Sequence, residues 1–171
     1  NIYYNTVGMG IPLLLNVPPN RAGVFHANDS AALMKLKNEI TRTFSTNLIT
    51  AGMTVTASTT LGTAYAGSKA IDADNTTYWT TSAGTKTGNI VIDFGKTMDI
   101  NVVKIQEYLP LGQRISGFTV DLYVNNAWVT FGSGQTIGQQ RIVKGDTKSA
   151  TKLRLSITGS LAVPLISNVE A

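Results

Sequence analysis

The sequence predicts a mainly β protein: an antiparallel β-sandwich preceded by a strand-loop-helix segment. From Met53 onward, short runs alternate apolar and polar residues between clusters of Gly, Asn, Ser and Thr, which is the pattern of strands with one buried face. Before about residue 48 the pattern differs, with a continuous apolar run followed by helical spacing. We place the domain boundary at residues 49–52, which divides the chain into residues 1–50 and residues 51–171.

The first 50 residues read as one βα unit. Residues 11–17 form a continuous apolar run that stops at a double proline, which predicts a strand buried on both faces. Asn28 or Asp29 can cap a following helix. Helical spacing then continues for about four turns through Leu33, Leu36, Ile40 and Phe44. Because a single βα unit cannot bury both of its faces, it normally belongs to a parallel sheet or barrel.

The sandwich strands are predicted from strict alternation. The apolar members are Ile90, Ile92, Phe94; Phe118, Val120, Leu122, Val124; and Leu153, Leu155, Ile157. Asn125-Asn126 is a plausible tight turn into a strand over residues 127–131. These strands should each have one face in the core and one in solvent, as in an antiparallel sandwich.

Composition narrows the function classes. Hydrophobic residues make up 43% of the 171 residues and charged residues only 14%, so uncharged polar side chains must cover the surface, as suits an extracellular all-β protein. The net charge of +4 comes from scattered Lys and Arg, so we expect no nucleic-acid partner. Without cysteine there are no disulfides, and no apolar run approaches the roughly 20 residues of a membrane span. The N-terminus reads as a position inside a longer protein.

Residues 70–79 contain the most informative short pattern, with Asp72, Asp74 and Thr77 ahead of a tryptophan. Calcium prefers six to eight oxygen ligands, and a tight turn can supply carboxylates and backbone carbonyls together. The same residues commonly make side-chain turns between strands without any metal. The spacing alone leaves both interpretations open.

Four segments together carry a resemblance to a known family: residues 55–58, 70–79, 92–96 and 152–155. They resemble the coagulation factor 5/8 type C, or discoidin, domain, whose galactose-binding-like jelly roll is shared by carbohydrate-binding modules of family 32. Residues 7–8, 13–23 and 26–29 are similar to the last strand and helix of the catalytic barrel in family 29 α-L-fucosidases. Residues 106–115, 134–138 and 141–142 resemble the appended domains of those enzymes.

The resemblance implies the C-terminal part of a bacterial, periplasmic or extracellular glycoside hydrolase. The catalytic carboxylate pair of that family would lie upstream, so we expect no hydrolase activity from this polypeptide alone. The lone histidine, His26, has no serine or cysteine partner suggested by its spacing, and we predict a loop or cap role for it.

The resemblance also implies a structural calcium. The carbonyl of Lys69, the side chains or carbonyls of Asp72 and Asp74, and the carbonyl and hydroxyl of Thr77 would be ligands. Glu170 would complete the shell, with Asn168 as the alternative, and Ala73 stands where the family usually has glycine. Such an ion would hold the sandwich together, because no open coordination position is evident.

The sugar-binding candidates are Tyr65, Tyr108, Gln113 and Arg114, which lie where this fold binds ligands. The arginine typical of galactose-binding relatives is absent, since Leu111 stands there. Alternatively, Gln113 and Arg114 dock the sandwich onto the missing catalytic barrel. Trp79 and Trp128 are predicted to be core aromatics. The predicted function is therefore an accessory, non-catalytic domain that binds a glycan or oligosaccharide, with a purely structural appendage or a cell-surface adhesion module as alternatives.

Overall fold

The computed structural model describes residues 2–171, which form two compact units. One unit contains residues up to Ile11 together with Leu48–Ala171, and the other is Pro12–Asn47. The helices are α1 (Ile2–Asn5) and α2 (Ala27–Phe44), with short 3₁₀ turns at Val7–Met9, Thr63–Tyr65, Gly67–Ala70 and Leu109–Leu111. The strands are β1 (Thr54–Ala57), β2 (Trp79–Thr80), β3 (Gly88–Glu107), β4 (Ile115–Val124), β5 (Ala127–Gly134), β6 (Arg141–Ser160) and β7 (Leu165–Glu170).

Two long antiparallel strands, β3 and β6, organise the sandwich. The first half of β3 pairs with β1 and with the second half of β6, whereas its second half pairs with β7 and with the first half of β6. The pairing shifts register between Asp93 and Met98, where Gly95 has a φ of 68°. Register shifts of this kind let a strand turn a corner from one layer to the next. The strand order is β2-β7-β3-β6-β4-β5, with β1 paired to β3.

The core lies between these layers and confirms the predicted alternation. Trp79 is fully buried, and its indole N–H donates to the Thr59 carbonyl at 3.1 Å. The predicted inward positions of β3, β4 and β6 are buried, apart from Val124, which is partly buried against the core. The mainly β, antiparallel fold class is therefore confirmed.

The turn between β4 and β5 is also confirmed. Asn125 and Asn126 have φ angles of 49° and 61°, and together they join two antiparallel strands. Asparagine tolerates this left-handed backbone better than most residues because its short polar side chain can hydrogen-bond locally.

The prediction that Trp128 is a core aromatic is wrong. It belongs to the outward row of β5, directly opposite Tyr123, and it is only partly buried. On the neighbouring strand Leu122 takes the inward position and is fully buried, whereas Val129 opposite it on β5 is 40% exposed. A one-residue offset in a strand moves a side chain to the other face, and residue size alone does not reveal the register.

The unit Pro12–Asn47 is described by itself. The strand predicted over residues 11–17 is wrong: these residues form no helix or strand and are mostly exposed. A buried parallel strand takes its hydrogen bonds from neighbouring strands. Among the described residues of this unit, the β pairing is a single bridge between Pro19 and Phe25.

The predicted amphipathic helix is confirmed as α2, although its cap was assigned to the wrong residue. The helix begins at Ala27, and the imidazole Nδ1 of His26 accepts the Asn28 N–H at 3.2 Å. Asn28 and Asp29 lie in the first turn. The Asp29 carboxylate is favourable there because it is close to the positive end of the helix dipole. The predicted loop or cap role of His26 is confirmed. The predicted apolar face is less exposed than the rest of the helix, but α2 buries no residue fully.

Residues 2–11 group with the sandwich and not with the helical unit. Gly8 is buried where an added Cβ would lie 3.3 Å from the Ile142 side chain, and the Gln140 amide donates to the Val7 carbonyl at 2.9 Å. The Lys144 ammonium lies 4.7 Å from the centre of the Tyr4 ring. Ile49, the first residue of our predicted boundary, is buried in the sandwich core. Neither helix of residues 2–171 combines the length and the apolar character needed to cross a bilayer.

Candidate functional site

Three tyrosines from separate loops form a stack at one end of the sandwich. Tyr65 ends a 3₁₀ turn, Tyr78 precedes β2 and Tyr108 follows β3. The Tyr78 ring lies 4.5 Å from the Tyr108 ring, centre to centre, with an interplanar angle of 26°, and 5.2 Å from the Tyr65 ring. Tyr78 is therefore the ring that joins the other two, stacked on Tyr108 and tilted against Tyr65. All three tyrosines are partly exposed.

The electrostatic environment keeps the middle phenol neutral. Burial raises the pKa of Tyr78, and a hydrogen bond with Tyr65 and the proximity of the other two phenols raise it further, while the Arg114 charge opposes the shift. A neutral phenol both donates and accepts a hydrogen bond. The stack therefore offers hydroxyl groups that suit a polyol.

The carboxylate of Glu107 fixes the loops behind this stack. It is 4% exposed and accepts three backbone N–H groups, from Arg114 at 2.8 Å, Ile115 at 3.0 Å and Gly138 at 2.7 Å. Its own backbone N–H donates to the Gly138 carbonyl at 2.9 Å. Because charge-assisted hydrogen bonds are stronger than neutral ones, this buried carboxylate holds two loops against the end of β3, next to Tyr108.

The side chain of Arg114 is largely occupied by its own loops. Its guanidinium donates to the Leu111 carbonyl at 3.0 and 3.3 Å and to the Val163 carbonyl at 3.1 Å. Its backbone carbonyl accepts the Leu161 N–H at 2.8 Å. Gln113 is exposed beside Gly138. Of the predicted sugar-binding residues, Tyr65 and Tyr108 are joined through Tyr78, whereas Arg114 connects loops.

The same loops expose apolar side chains. Leu61, Leu111 and Leu161 are 51%, 51% and 76% exposed. The Leu111 carbonyl accepts from the Arg114 guanidinium, and the Leu161 N–H donates to the Arg114 carbonyl. The Leu61 N–H donates to the carbonyl of Thr80, two positions after Tyr78. Exposed apolar groups on neighbouring loops are typical of a surface that contacts a ligand or a partner.

Four of the predicted metal ligands come together in the loop over residues 69–77. The Thr77 hydroxyl lies 2.8 Å from Asp72 Oδ2, 3.1 Å from the Asp74 carbonyl and 3.5 Å from the Lys69 carbonyl. These oxygens are the donor types that calcium prefers. The Lys69 ammonium lies 3.1 Å from Asp72 Oδ2 and supplies a positive charge to the same carboxylate.

The Asp74 carboxylate faces away from that cluster. It accepts the hydroxyl of Thr76 at 2.6 Å and its N–H at 2.9 Å, and these two bonds lower the pKa of Asp74. Asp74 therefore contributes its carbonyl to the cluster. Ala73 has a φ of 61°, a left-handed backbone that explains why glycine would be favourable at this position.

The two candidates for closing the shell have other partners. The Glu170 carboxylate pairs with the Lys104 ammonium at 2.6 Å, and the Asn168 amide donates to Gln106 at 3.0 Å and to Glu170 at 2.6 Å. These bonds follow the pairing of β7 with β3. Across residues 2–171, no three His, Cys, Asp or Glu side chains gather in a way that could hold a metal ion. The oxygens of the loop are of the type that calcium binds. Glu170 and Asn168 would have to give up their present partners to become further ligands.

Sequence reasoning missed Tyr78 and Glu107. Tyr78 stands in the motif over residues 70–79, next to Thr77, but its ring partners lie in distant loops. Glu107 is the last residue of β3 and occupies an inward position of its alternating pattern. An acid at an inward position could have indicated a buried carboxylate that accepts hydrogen bonds. Which N–H groups it accepts depends on the tertiary fold.

Comparison with known proteins matches residues 54–167 to the F5/8 type C domain. The crystal structure of SpGH29 superposes with a TM-score of 0.93 at 35% identity, over 99% of this chain and 37% of that one. A Ruminococcus gnavus GH29 fucosidase in complex with fucose gives a TM-score of 0.88 at 34% identity, over 99% of this chain and 35% of that one. Alpha-L-fucosidase 1 of Arabidopsis thaliana is 27% identical over 98% of this chain and 34% of its own length. The chain spans about a third of the curated relatives it matches.

Proposed function

Because the chain belongs to the F5/8 type C domain family, we propose that it is an accessory carbohydrate-binding domain of a longer α-L-fucosidase. The fucosidases similar to it align over nearly the whole of this chain and extend well beyond it, which supports a catalytic part elsewhere in the same protein. The stack of Tyr65, Tyr78 and Tyr108 is the observation that carries the binding proposal.

The chemistry of that stack suits a sugar. A pyranose ring has an apolar face of C–H groups that can lie on an aromatic ring, while its hydroxyls need nearby donors and acceptors. The ring of Tyr108 or Tyr65 would supply the first contact, and the phenol hydroxyls of the stack would supply the second. The Glu107 hydrogen bonds hold the loops beforehand, which lowers the entropy lost on binding.

Titration of fucosylated oligosaccharides by isothermal calorimetry, after selection on a glycan array, tests the proposal. Tyr108→Ala removes the ring and should weaken binding at least tenfold, whereas Tyr108→Phe keeps the ring and should weaken it less than fivefold. A glycan that binds the wild type and Tyr108→Ala equally well would show that the stack is not the site. The absence of any binding glycan would refute the function.

A second candidate is that this end of the sandwich docks on the catalytic barrel of the longer protein. Two observations favour it: the Arg114 guanidinium is used for holding loops, and Leu111 and Leu161 are exposed around it. In the full-length enzyme, Leu111→Ser with Leu161→Ser should then lower the melting temperature of the catalytic part and leave glycan binding by the 171-residue chain unchanged. If the double variant leaves that temperature unchanged, docking through these residues is refuted.

We also propose a structural calcium in the loop over residues 69–77. The clustered oxygens of Lys69, Asp72, Asp74 and Thr77 support it. When bound, the ion would replace the Lys69 ammonium as the positive charge at Asp72, and Asn168, Glu170 or water would complete its shell. A periplasmic or extracellular location is proposed from the composition, and cell fractionation with an antibody tests it.

A further inference from the structure

An aromatic cluster stands on the outward face of the sandwich and takes no part in the tyrosine stack. Trp128 on β5 meets Tyr123 on β4, with 5.1 Å between ring centres at an interplanar angle of 61°. The guanidinium carbon of Arg154, on β6, lies 4.4 Å from the centre of the Trp128 ring. We call Tyr123, Trp128 and Arg154 the outer platform. It is distinct from the stack because it belongs to the strands β4, β5 and β6 and not to their loops.

A nearly buried acid, Asp121, holds the Arg154 side chain of the outer platform. Asp121 is 7% exposed although its position alternates with the inward residues Val120 and Leu122. Its Oδ2 accepts the Arg154 guanidinium twice, at 2.9 and 3.1 Å, and its Oδ1 accepts the Thr130 hydroxyl at 3.0 Å. Both guanidinium bonds go to the same oxygen, and such charge-assisted hydrogen bonds are stronger than neutral ones. The guanidinium is therefore held in place, and it supports one face of the indole.

The charges on this face are mutually neutralised. Arg154 pairs with Asp121, and the next cation on β6, Lys152, pairs with Asp93 at 2.7 Å. The register places Lys152 opposite Tyr123 and Arg154 opposite Asp121, so both ion pairs border the aromatic residues. On these rows of the described sheet, every charged side chain has a partner of opposite sign. A polyanion or an acidic peptide would find no unpaired cation here.

Hydroxyl groups continue the same face. Thr119 lies opposite Ser133 on β5 and Ser156 on β6, one outward row beyond Asp121. A rigid indole beside neutral hydroxyls complements an uncharged polyol with an apolar ring face. In β-1,4-linked glucan and chitin chains, the ring hydroxyls are equatorial and both ring faces present C–H groups.

We propose that the outer platform is a second carbohydrate-binding site, which takes an uncharged β-1,4-linked oligosaccharide by stacking a pyranose ring on Trp128. Its ligand and its location differ from those of the loop site. The longer protein would then hold a polysaccharide surface with its sheet face while the loop end serves a different glycan.

Tryptophan fluorescence tests this directly on the 171-residue chain. Trp79 is 0% exposed and cannot lose further contact with water, so a blue shift on ligand binding is assigned to Trp128. The probes are cellohexaose and N-acetylchitohexaose, each titrated to about 10 mM. At least one should cause a saturable blue shift with a dissociation constant of about 0.1–1 mM, in the range of weak recognition by one aromatic anchor. If neither probe shifts the emission, the proposal is refuted.

Matched variants locate the site by calorimetry with the probe that binds. Trp128→Ala should weaken binding at least tenfold and Trp128→Phe less than that, whereas Val129→Ala, on the same strand at an alternate position, should change it less than twofold. Circular dichroism at each variant's melting transition confirms that it is folded. Equal affinity of folded Trp128→Phe, Trp128→Ala and wild type would overturn the assignment.

Tyr108→Ala separates this site from the loop site. It should leave the fluorescence titration unchanged, so loss of fucosylated-glycan binding with the Trp128 signal intact contradicts neither site. A Trp128 signal abolished by Tyr108→Ala would refute an independent outer site. Emission that shifts with protein concentration in the absence of sugar would instead show that a second copy of the chain covers the indole, and would also refute the proposal.

Discussion

Replacing Glu107 by glutamine tests the idea that one buried carboxylate organises the loop end. The change preserves shape and exchanges one oxygen for an NH₂ group. In the native structure both oxygens are acceptors, one for Arg114 and Ile115 and the other for Gly138. Whichever way the new amide turns, its NH₂ group faces a backbone N–H, and a donor then meets a donor.

The size of the effect follows from these bonds. Hydrogen bonds to a charged group contribute about 1.5–3 kcal/mol each, against about 1 kcal/mol for neutral ones. The amide keeps its oxygen toward Arg114 and Ile115 at best, weakens both bonds and leaves the buried Gly138 N–H without its acceptor. Relief from burying a charge offsets part of this. We expect a net loss of about 2–4 kcal/mol in the free energy of unfolding, which for a chain of this size lowers the melting temperature by about 4–16 °C.

Urea denaturation followed by circular dichroism measures the loss, and limited proteolysis reports the loops. The control is Glu39→Gln, since the Glu39 side chain is 61% exposed in its pair with Arg42 and should contribute less than about 1 kcal/mol. Glu107→Gln should also admit cleavage between residues 108 and 115. If it is as stable as Glu39→Gln and resists the protease there, the carboxylate does not have the role that its three hydrogen bonds assign to it.

Three further outcomes are expected. Calcium at 100 times its dissociation constant should add about 2.7 kcal/mol to the free energy of unfolding and so raise the melting temperature. EDTA should reverse this rise, and Asp72→Asn should abolish it. No rise in the wild type would exclude the ion. The Lys152 hydrogen bond and ion pair, followed by the Gly95 N–H, lower the pKa of Asp93, so the stability from this carboxylate is present above the ordinary aspartate pKa of about 4 and is lost as pH falls through its lower folded value. Asp93→Asn should therefore lose less melting temperature between pH 7 and pH 2 than the wild type, and an equal loss would contradict the pairing. The purified chain should release no nitrophenol from an aryl α-L-fucoside, and release above that of a buffer control would show catalytic groups within these 171 residues.

Elements that depend on interactions between near neighbours in the chain were predicted, whereas elements that depend on distant partners were not. The strands of the sandwich, the Asn125-Asn126 turn and helix α2 were predicted correctly, because alternation, turn chemistry and helical spacing act over a few neighbouring residues. The strand over residues 11–17 was wrong because its apolar run needed partner strands that residues 2–171 do not supply. Trp128 was assigned to the core because its size was considered without its register.

The sequence by itself determined the alternating strands, the family and the cluster of polar residues over residues 69–77, because each depends on local spacing or on short motifs. Only the tertiary structure decided that Tyr78 lies between Tyr65 and Tyr108, that Glu107 holds Gly138, and that Arg154 supports Trp128. These partners are 13 to 31 residues apart in the chain, and no local rule fixes which side chains meet across strands. The registers of β3, β4, β5 and β6 decide which loops and rows lie side by side, and register is a property of paired strands and not of any one segment.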